Sequence, residues 1–447
     1  AKEYSYQQDA VDFAKDHLEM LINFSQGMGK TLTTLRILDT YKSPRNLIIT
    51  GVANLQEEWL KDSRKHPLNA AERYDTILNM SIVGNSPDSS VKARIKWLQN
   101  EKASSFTHLI GIESLRDVNL VRQLNNLQYT TIIIDECQSA KGMKADQTQG
   151  LHELIRYTNQ RRIALSGTPI LNDPLEYYSV LRFLRVLYYR SKIDQCARTT
   201  FERYYGEWGH DFMGHLTCVG YKNLDKLKLL LEPVLCYAPK RLLNLKPKNR
   251  EVVRVEEPFG LAEKVALYRR GSAVVRFSGY PTIQALGAEI QLMTSSAPSK
   301  IDFILNQKRS LVFSRYTQVL EIVKTALEKQ GKKVLFYHGK LSMKERLEIL
   351  DLWKSSEEYD ILLLSINAAR YGLNLQEVQT TIFLEPPTSF AILEQAEDRA
   401  HRIGQKERVN SYILVGGKPD EQDWKTLLKK QQAIEEIMGN SPPSPNY

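Results

Sequence analysis

Short apolar runs, each closed by polar or glycine positions, recur along the 447-residue chain and alternate with stretches of helical period. In the first half, Leu21 to Phe24, Asn46 to Thr50, Thr107 to Ile112 and the runs that begin at Thr131 and Arg162 read as buried strands. Between them, Ala10, Val11, Ala14 and Leu18 share one face of a helix opened by Tyr6-Gln7. Leu32 to Leu38 and Leu55 to Lys61 continue the alternation, the latter carrying Trp59 inward. In the second half, Ser310 to Ser314, Lys333 to Tyr337, Ile361 to Leu364 and Thr380 to Leu384 repeat the pattern. Strands that are apolar throughout are those covered on both faces. The prediction is an α/β chain with two doubly wound parallel sheets, whose ligands sit at the carboxyl ends of the strands.

Three stretches interrupt the alternation. Leu175 to Arg190, Phe201 to Trp208 and Leu224 to Leu231 predict a helical protrusion near 175–240, its aromatics at the spacing of a core stripe. Tyr268 to Thr294 predicts a second helical insertion, within about 260–298, before the second sheet begins near Lys300. Asp420 to Met438 reads as an amphipathic helix presenting Trp424, Leu427, Leu428, Ile434 and Ile437. Lys240, Arg241, Lys246, Lys248 and Arg250 form a basic, proline-containing connector read as a solvated linker, which divides the chain into lobes 1–245 and 246–439. The Pro- and Ser-rich 440–447 reads as a disordered tail.

Composition narrows the class. At 42% hydrophobic residues the chain is globular, no apolar run approaches the ~20 residues of a membrane span, and no cleavable leader opens it. The expectation is a soluble intracellular protein acting as a monomer, of cytoplasm or nucleoid, with a nuclear or viral setting equally open. Cys137, Cys196, Cys218 and Cys236 lack metal-type spacing and read as reduced core thiols. A formal net charge of +9 and a pI near 9.1 suit a polyanionic partner.

The chemistry concentrates at two strand ends. Gln26-Gly27-Met28-Gly29-Lys30-Thr31 closes the first strand as a phosphate-binding loop. Gly27 and Gly29 free backbone N–H groups for a polyphosphate, Lys30 adds a charge and Thr31 offers a hydroxyl to Mg²⁺. Asn23 stands where the full pattern has another glycine. Asp135-Glu136 ends a fully apolar strand, where Asp135 would hold Mg²⁺ through water and Glu136 would polarise the water attacking the γ-phosphate of ATP. Ser166-Gly167-Thr168-Pro169 ends another strand with hydroxyl residues that either sense nucleotide state or simply make a tight turn, and Gln7 is either an adenine contact or an exposed helix glutamine.

Taken together, Lys30-Thr31, Asp135-Glu136 and Ser166-Gly167-Thr168-Pro169 resemble superfamily-two helicases. Pro169-Ile170-Leu171-Asn172-Asp173, Leu311 to Thr317, Tyr337-His338-Gly339-Lys340-Leu341-Ser342 and Gln395 to Gln405 resemble the Swi/Snf branch. Phe201-Glu202-Arg203-Tyr204-Tyr205 and Gly220-Tyr221-Lys222-Asn223-Leu224 look nearest to its HepA-related annealing helicases. The resemblance covers nearly the whole chain. It implies two RecA-like lobes with helical protrusions, an ATP- and Mg²⁺-dependent motor, and a partner that is double-stranded or branched DNA. It also implies that Arg399 and Arg402, one helical turn apart, are arginine fingers, and that Gln395 joins the nucleotide contacts. Ser114, Ser314, Arg315, Lys340, Ser342 and Arg370 are the candidate nucleic-acid contacts. Arg370 stands in a fifth motif whose usual glycine pair is replaced by Ala369-Arg370. Two other classes fit the same motifs, a strand-separating helicase on DNA or RNA and a non-catalytic, ATP-gated clamp.

Overall fold

A computed structural model of the chain describes residues 4–25, 27–51, 54–65, 73–84, 90–140, 146–155, 159–167, 174–189, 198–210, 216–239, 242, 248–366, 375, 378–401 and 407–438. Two compact units emerge: Ala1–Tyr205 with Asn223–Leu243, and Gly206–Lys222 with Asn244–Tyr447.

The first unit is built on β1 (Glu19–Phe24), β2 (Arg45–Thr50), β3 (Met80–Ile82), β4 (Phe106–Gly111), β5 (Thr131–Asp135), β6 (Arg161–Ser166) and a last strand at Leu235–Ala238. Every pairing is parallel, and the order is β3-β4-β2-β5-β6-β1 with Leu235–Ala238 at the edge beside β1. Helix α1 (Ser5–Asp16) precedes β1, and α2 (Lys30–Thr40) and α3 (Asn54–Lys65) follow β1 and β2. Met20, Ile22, Ile48 and Ile133 from the strands meet Ala10, Leu35 and Trp59 from these helices in one core. The aromatic stretch after Leu175 is core as well: Tyr177, Tyr178, Phe183, Phe201 and Tyr205 are all buried. Leu235-Cys236-Tyr237 carries no strand signal in the sequence, yet it pairs in register with Leu21, Ile22 and Asn23.

The predicted helical protrusion forms only in part. The helix Arg198–Tyr205 stops where Gly206 begins a strand, β7 (Gly206–His210), which pairs antiparallel with β8 (Leu216–Tyr221). This hairpin groups with the second unit, where Lys429 Nζ donates to the Val219 carbonyl at 3.2 Å. A lone two-stranded hairpin is marginal in water, so such a contact gives it support.

In the second unit the sheet starts earlier than Lys300. A strand at Asn249–Arg254, called β10 with Leu235–Ala238 counted as β9, forms the edge of the order β10-β15-β14-β11-β13-β12. Here β11 is Ser310–Ser314, β12 Val334–Tyr337, β13 Ile361–Ser365, β14 Thr380–Phe383 and β15 Asn410–Val415, again all parallel. The basic connector is therefore misread as solvated at its far end, because Lys248 and Arg250 are committed to a buried carboxylate described below. Lys240, Arg241 and Lys246 lie outside the described residues. The helical insertion forms as Leu261–Arg269, Ser272–Phe277 and Ile283–Ser295 around its own small core of Leu261, Val265, Tyr268, Val275, Leu286 and Ile290.

The C-terminal helix, Lys418–Met438, buries Trp424, Leu427, Ile434 and Ile437. Its start is pinned by a fully buried pair, Lys300 Nζ to Asp420 Oδ2 at 2.6 Å, with the Gly416 N–H donating to the same oxygen at 2.9 Å. A buried ion pair of this kind fixes where the helix docks more than it adds stability. The 440–447 tail lies outside the described residues. The Cys137 thiol is buried, whereas Cys218 and Cys236 are only half-buried, so two of the expected core thiols sit nearer the surface; Cys196 is not among the described residues. No described helix is long and apolar enough to cross a membrane.

Candidate nucleotide site

The loop after β1 turns on two left-handed glycines, Gly27 at φ 79° and Gly29 at φ 81°. Gly29 is required for its left-handed backbone; a Cβ there would also press on Gln7 Nε2, the movable end of that side chain, at 2.4 Å. Gln7 is buried on α1 and donates to the Met28 carbonyl at 3.0 Å, and Tyr6 Oη donates to the same oxygen at 3.2 Å. The helix before the first strand thus holds the loop from outside. Gln26 lies outside the described residues.

Helix α2 begins at Lys30 with no side chain capping its first turn. Its leading N–H groups and positive dipole end form an anion seat. Lys30 Nζ donates to the Phe24 carbonyl at 3.2 Å, folded back across the loop it belongs to. Thr31 is half-buried in the first turn, while Thr33 and Thr34 return their hydroxyls to the Gly29 and Lys30 carbonyls.

Asp135 is held at the end of β5 by two donors. Trp59 Nε1 donates to Oδ2 at 2.8 Å, and the Glu136 N–H donates to Oδ1 at 2.9 Å. Burial, then the adjacent Glu136 charge, pushes the Asp135 carboxyl up to about 6, against the opposing pull of Trp59 and Lys30. A buried carboxylate so placed beside a lysine suits a divalent cation, which would favour its charged form. The uncapped α2 terminus, Lys30 and Thr31 likewise fit a polyphosphate.

Glu136 occupies the left-handed region at φ 49°, a strained conformation for a residue with a Cβ. The strain turns its backbone off the strand direction, and the Ser139 N–H closes the turn on the Glu136 carbonyl at 2.8 Å. Gln138 Nε2 donates to Glu136 Oε2, and Ser166 Oγ donates to Gln138 Oε1 at 3.4 Å. Ser166 at the end of β6 is therefore linked through one amide to Glu136. Trp59 and Gln138 are the residues that sequence reasoning missed; Trp59 was legible as core but not as a partner 76 positions from Asp135. Thr168 and Pro169 lie outside the described residues.

The other candidates fare unevenly. Ser114 Oγ accepts from Arg94 Nη1 at 2.6 Å, so its oxygen is already engaged in the first unit. Ser314 is fully buried and donates to Glu385 at 3.0 Å. Arg315 donates its N–H to Glu385 Oε1 at 2.6 Å and its guanidinium to Asp423 Oδ2 at 2.7 Å, so it ties the end of β11 to the C-terminal helix. Ser342 is exposed but acts as a helix cap, in a reciprocal box with Glu345. Lys340 is exposed. Arg370 lies outside the described residues.

Gln395 is buried in the helix Phe390–Glu397. That helix ends at Glu397, and Arg399 follows in a turn, only 2% exposed. Three carboxylates, Glu394, Glu397 and Asp398, crowd the negative end of the helix dipole and disfavour its continuation. Burial raises the Tyr337 phenol above its ordinary range, against the opposing pull of Arg346 and, more weakly, of Arg399. Arg402 lies outside the described residues.

Parallel sheets with a glycine loop opening a helix and an acidic pair ending a neighbouring strand define a phosphate-loop protein of the α/β class. The chain belongs to the SNF2-related domain family, which matches residues 6–260, and residues 297–404 match the helicase conserved C-terminal domain. Its sheets are those of two RecA-like lobes, and membership implies nucleotide use. Among relatives, the chain is 26% identical over 444 residues to the Xenopus laevis SWI/SNF-related matrix-associated actin-dependent regulator of chromatin subfamily A-like protein 1, covering 96% of this chain and 43% of that protein. It is 24% identical to the Homo sapiens DNA annealing helicase and endonuclease ZRANB3, covering 97% of this chain and 40% of that one. To an ATP-dependent helicase of Mycoplasma pneumoniae it is 23% identical, covering 97% and 42%. The chain thus spans less than half the length of these relatives. A solved Sulfolobus solfataricus SWI2/SNF2 ATPase core in complex with dsDNA is 18% identical, with 99% of this chain and 98% of that chain covered at a TM-score of 0.43.

Proposed function

We propose that the chain is an ATP-dependent motor that tracks along double-stranded DNA and remodels or anneals branched structures. The observation that carries this reading is the Asp135-Glu136 end of β5 in the same sheet as the glycine loop that sets Lys30 at the head of α2, Glu136 being turned by a strained backbone and linked to Ser166 through Gln138. On this reading Lys30 leaves the Phe24 carbonyl for the outer phosphates of ATP, and the α2 N–H groups seat the rest of the polyphosphate. Gln7 and Gln395 serve the adenine. Thr31 and Asp135 would hold Mg²⁺, which supplies charge neutralisation at the phosphates. Glu136 accepts the proton of the attacking water, and Gln138 keeps its carboxylate oriented. Arg399 and Arg402 act as arginine fingers on the γ-phosphate. SNF2 membership and the names of the annealing and SWI/SNF-related relatives support DNA as the track, and the basic charge suits it.

One observation favours the strand-separating alternative. The β7–β8 hairpin exposes Trp208 and Leu216, a small apolar surface on which a base can stack. Nucleic-acid-stimulated ATPase measurements separate the classes. Duplex or branched DNA is expected to stimulate hydrolysis more than single-stranded DNA or RNA, with binding that weakens steeply in salt. Greater stimulation by single strands would favour the helicase, and ATP binding without turnover would favour the gated clamp.

A further inference from the structure

Glu397 is fully buried at the last position of the helix Phe390–Glu397, where both burial and the helix dipole oppose a negative charge. Its compensation comes from far along the chain. Arg250 meets it with two parallel bonds, Nε to Oε1 at 2.9 Å and Nη2 to Oε2 at 2.7 Å, and Lys248 Nζ adds a third at 2.5 Å. Burial pushes the Glu397 carboxyl up, yet Arg250 and Lys248 together hold it well below the usual carboxylate range. The Arg250 guanidinium also lies 5.0 Å from the centroid of the Phe390 ring, so one side chain grips both ends of the helix. Strand β10, which carries Arg250, is fixed to the sheet by its register with β15, Arg250 opposite Ser411.

The other end of Glu397 faces the finger. Its backbone carbonyl accepts the N–H of Ala400 at 3.0 Å and of His401 at 2.9 Å, closing the turn that carries Arg399. The Arg399 carbonyl in turn accepts the Leu375 N–H at 3.0 Å. One residue therefore joins the edge strand, through its side chain, to the Arg399 turn, through its backbone.

We propose that Glu397 is a positioning residue for Arg399, with Arg250 and Lys248 as its anchors. The proposal rests on the reading that Arg399 acts on the γ-phosphate. A neutral side chain of the same size loosens the turn without removing the guanidinium, so the loss falls on turnover rather than on binding. Glu397→Gln is expected to lower kcat for DNA-stimulated ATP hydrolysis by roughly 10- to 100-fold, leaving KM for ATP and nucleotide-free duplex affinity within about twofold. The double variant Glu397→Gln with Arg399→Ala is expected to be no slower than Arg399→Ala alone, because both changes act through one group. A kcat for Glu397→Gln within about twofold of the unsubstituted chain, or losses that multiply in the double variant, would overturn the proposal. If Glu397→Gln does not fold, Arg250→Lys carries the test: it keeps the charge, loses the two-pronged geometry, and should lower kcat by about 3- to 30-fold at unchanged KM. Unchanged kcat there overturns the proposal equally. Normal turnover in Arg399→Ala would instead sink the finger reading itself, a result distinct from a failure confined to Glu397.

Discussion

Alanine at Arg399 is expected to slow ATP hydrolysis by ~10³-fold or more under saturating DNA, the scale of an arginine finger in related phosphoryl transfers. Charge develops on the γ-phosphate oxygens as the bond breaks, and a guanidinium supplied there stabilises the transition state far more than the bound substrate. The loss should therefore appear in kcat, while DNA binding without nucleotide survives. Arg399 is buried, so truncation also removes packing, and thermal unfolding of the variant separates that effect from the chemistry. Arg399→Lys sharpens the reading, since it keeps a cation but loses the planar fork and should remain strongly impaired. Arg402→Ala is expected to behave like Arg399→Ala. Normal hydrolysis by both alanine variants would mean that the second unit takes no part in the reaction.

Glu136→Gln is expected to bind ATP as the unsubstituted chain does and to hydrolyse it ~10²-fold or more slowly, the scale of a lost general base. The amide keeps the size of the side chain and its bond to Gln138, so the strained turn at φ 49° should persist. Lys30→Ala should behave differently, weakening nucleotide binding itself through loss of the phosphate contact. Nucleotide affinity and single-turnover hydrolysis, measured on both variants, give the two signatures. Unchanged single-turnover rates in Glu136→Gln would remove Glu136 from the catalytic role.

Much of this molecule is written locally in its sequence. Strands covered on both faces must be apolar throughout, which makes β2, β5, β11 and β13 legible as uninterrupted runs. The phosphate loop and the acidic pair are legible because phosphate chemistry needs adjacent residues in a fixed turn. Edge strands other than β12 escaped. Leu235–Ala238 is only four residues long, and Asn249–Arg254 interrupts its apolar positions with Arg250, Glu251 and Arg254, as an edge strand can. The hairpin hid behind Gly206 and Gly209, which break any alternation. Partnerships across the fold escaped as well. Nothing near Trp59 announces Asp135, and Glu397 and Arg250 are 147 positions apart. The bonds of Ser314 and Arg315 to Glu385 and Asp423 were equally unannounced by the motif that contains them.

The central claim is that ATP hydrolysis drives movement along intact duplex DNA. A triplex-forming third strand annealed to a long duplex reports such movement without requiring the duplex to open. The account predicts that the chain displaces the third strand with ATP, that Glu136→Gln does not, and that displacement is tolerant of duplex sequence because the track is the phosphate backbone. ATP-driven unwinding of an ordinary forked duplex, with the triplex left in place, would contradict it.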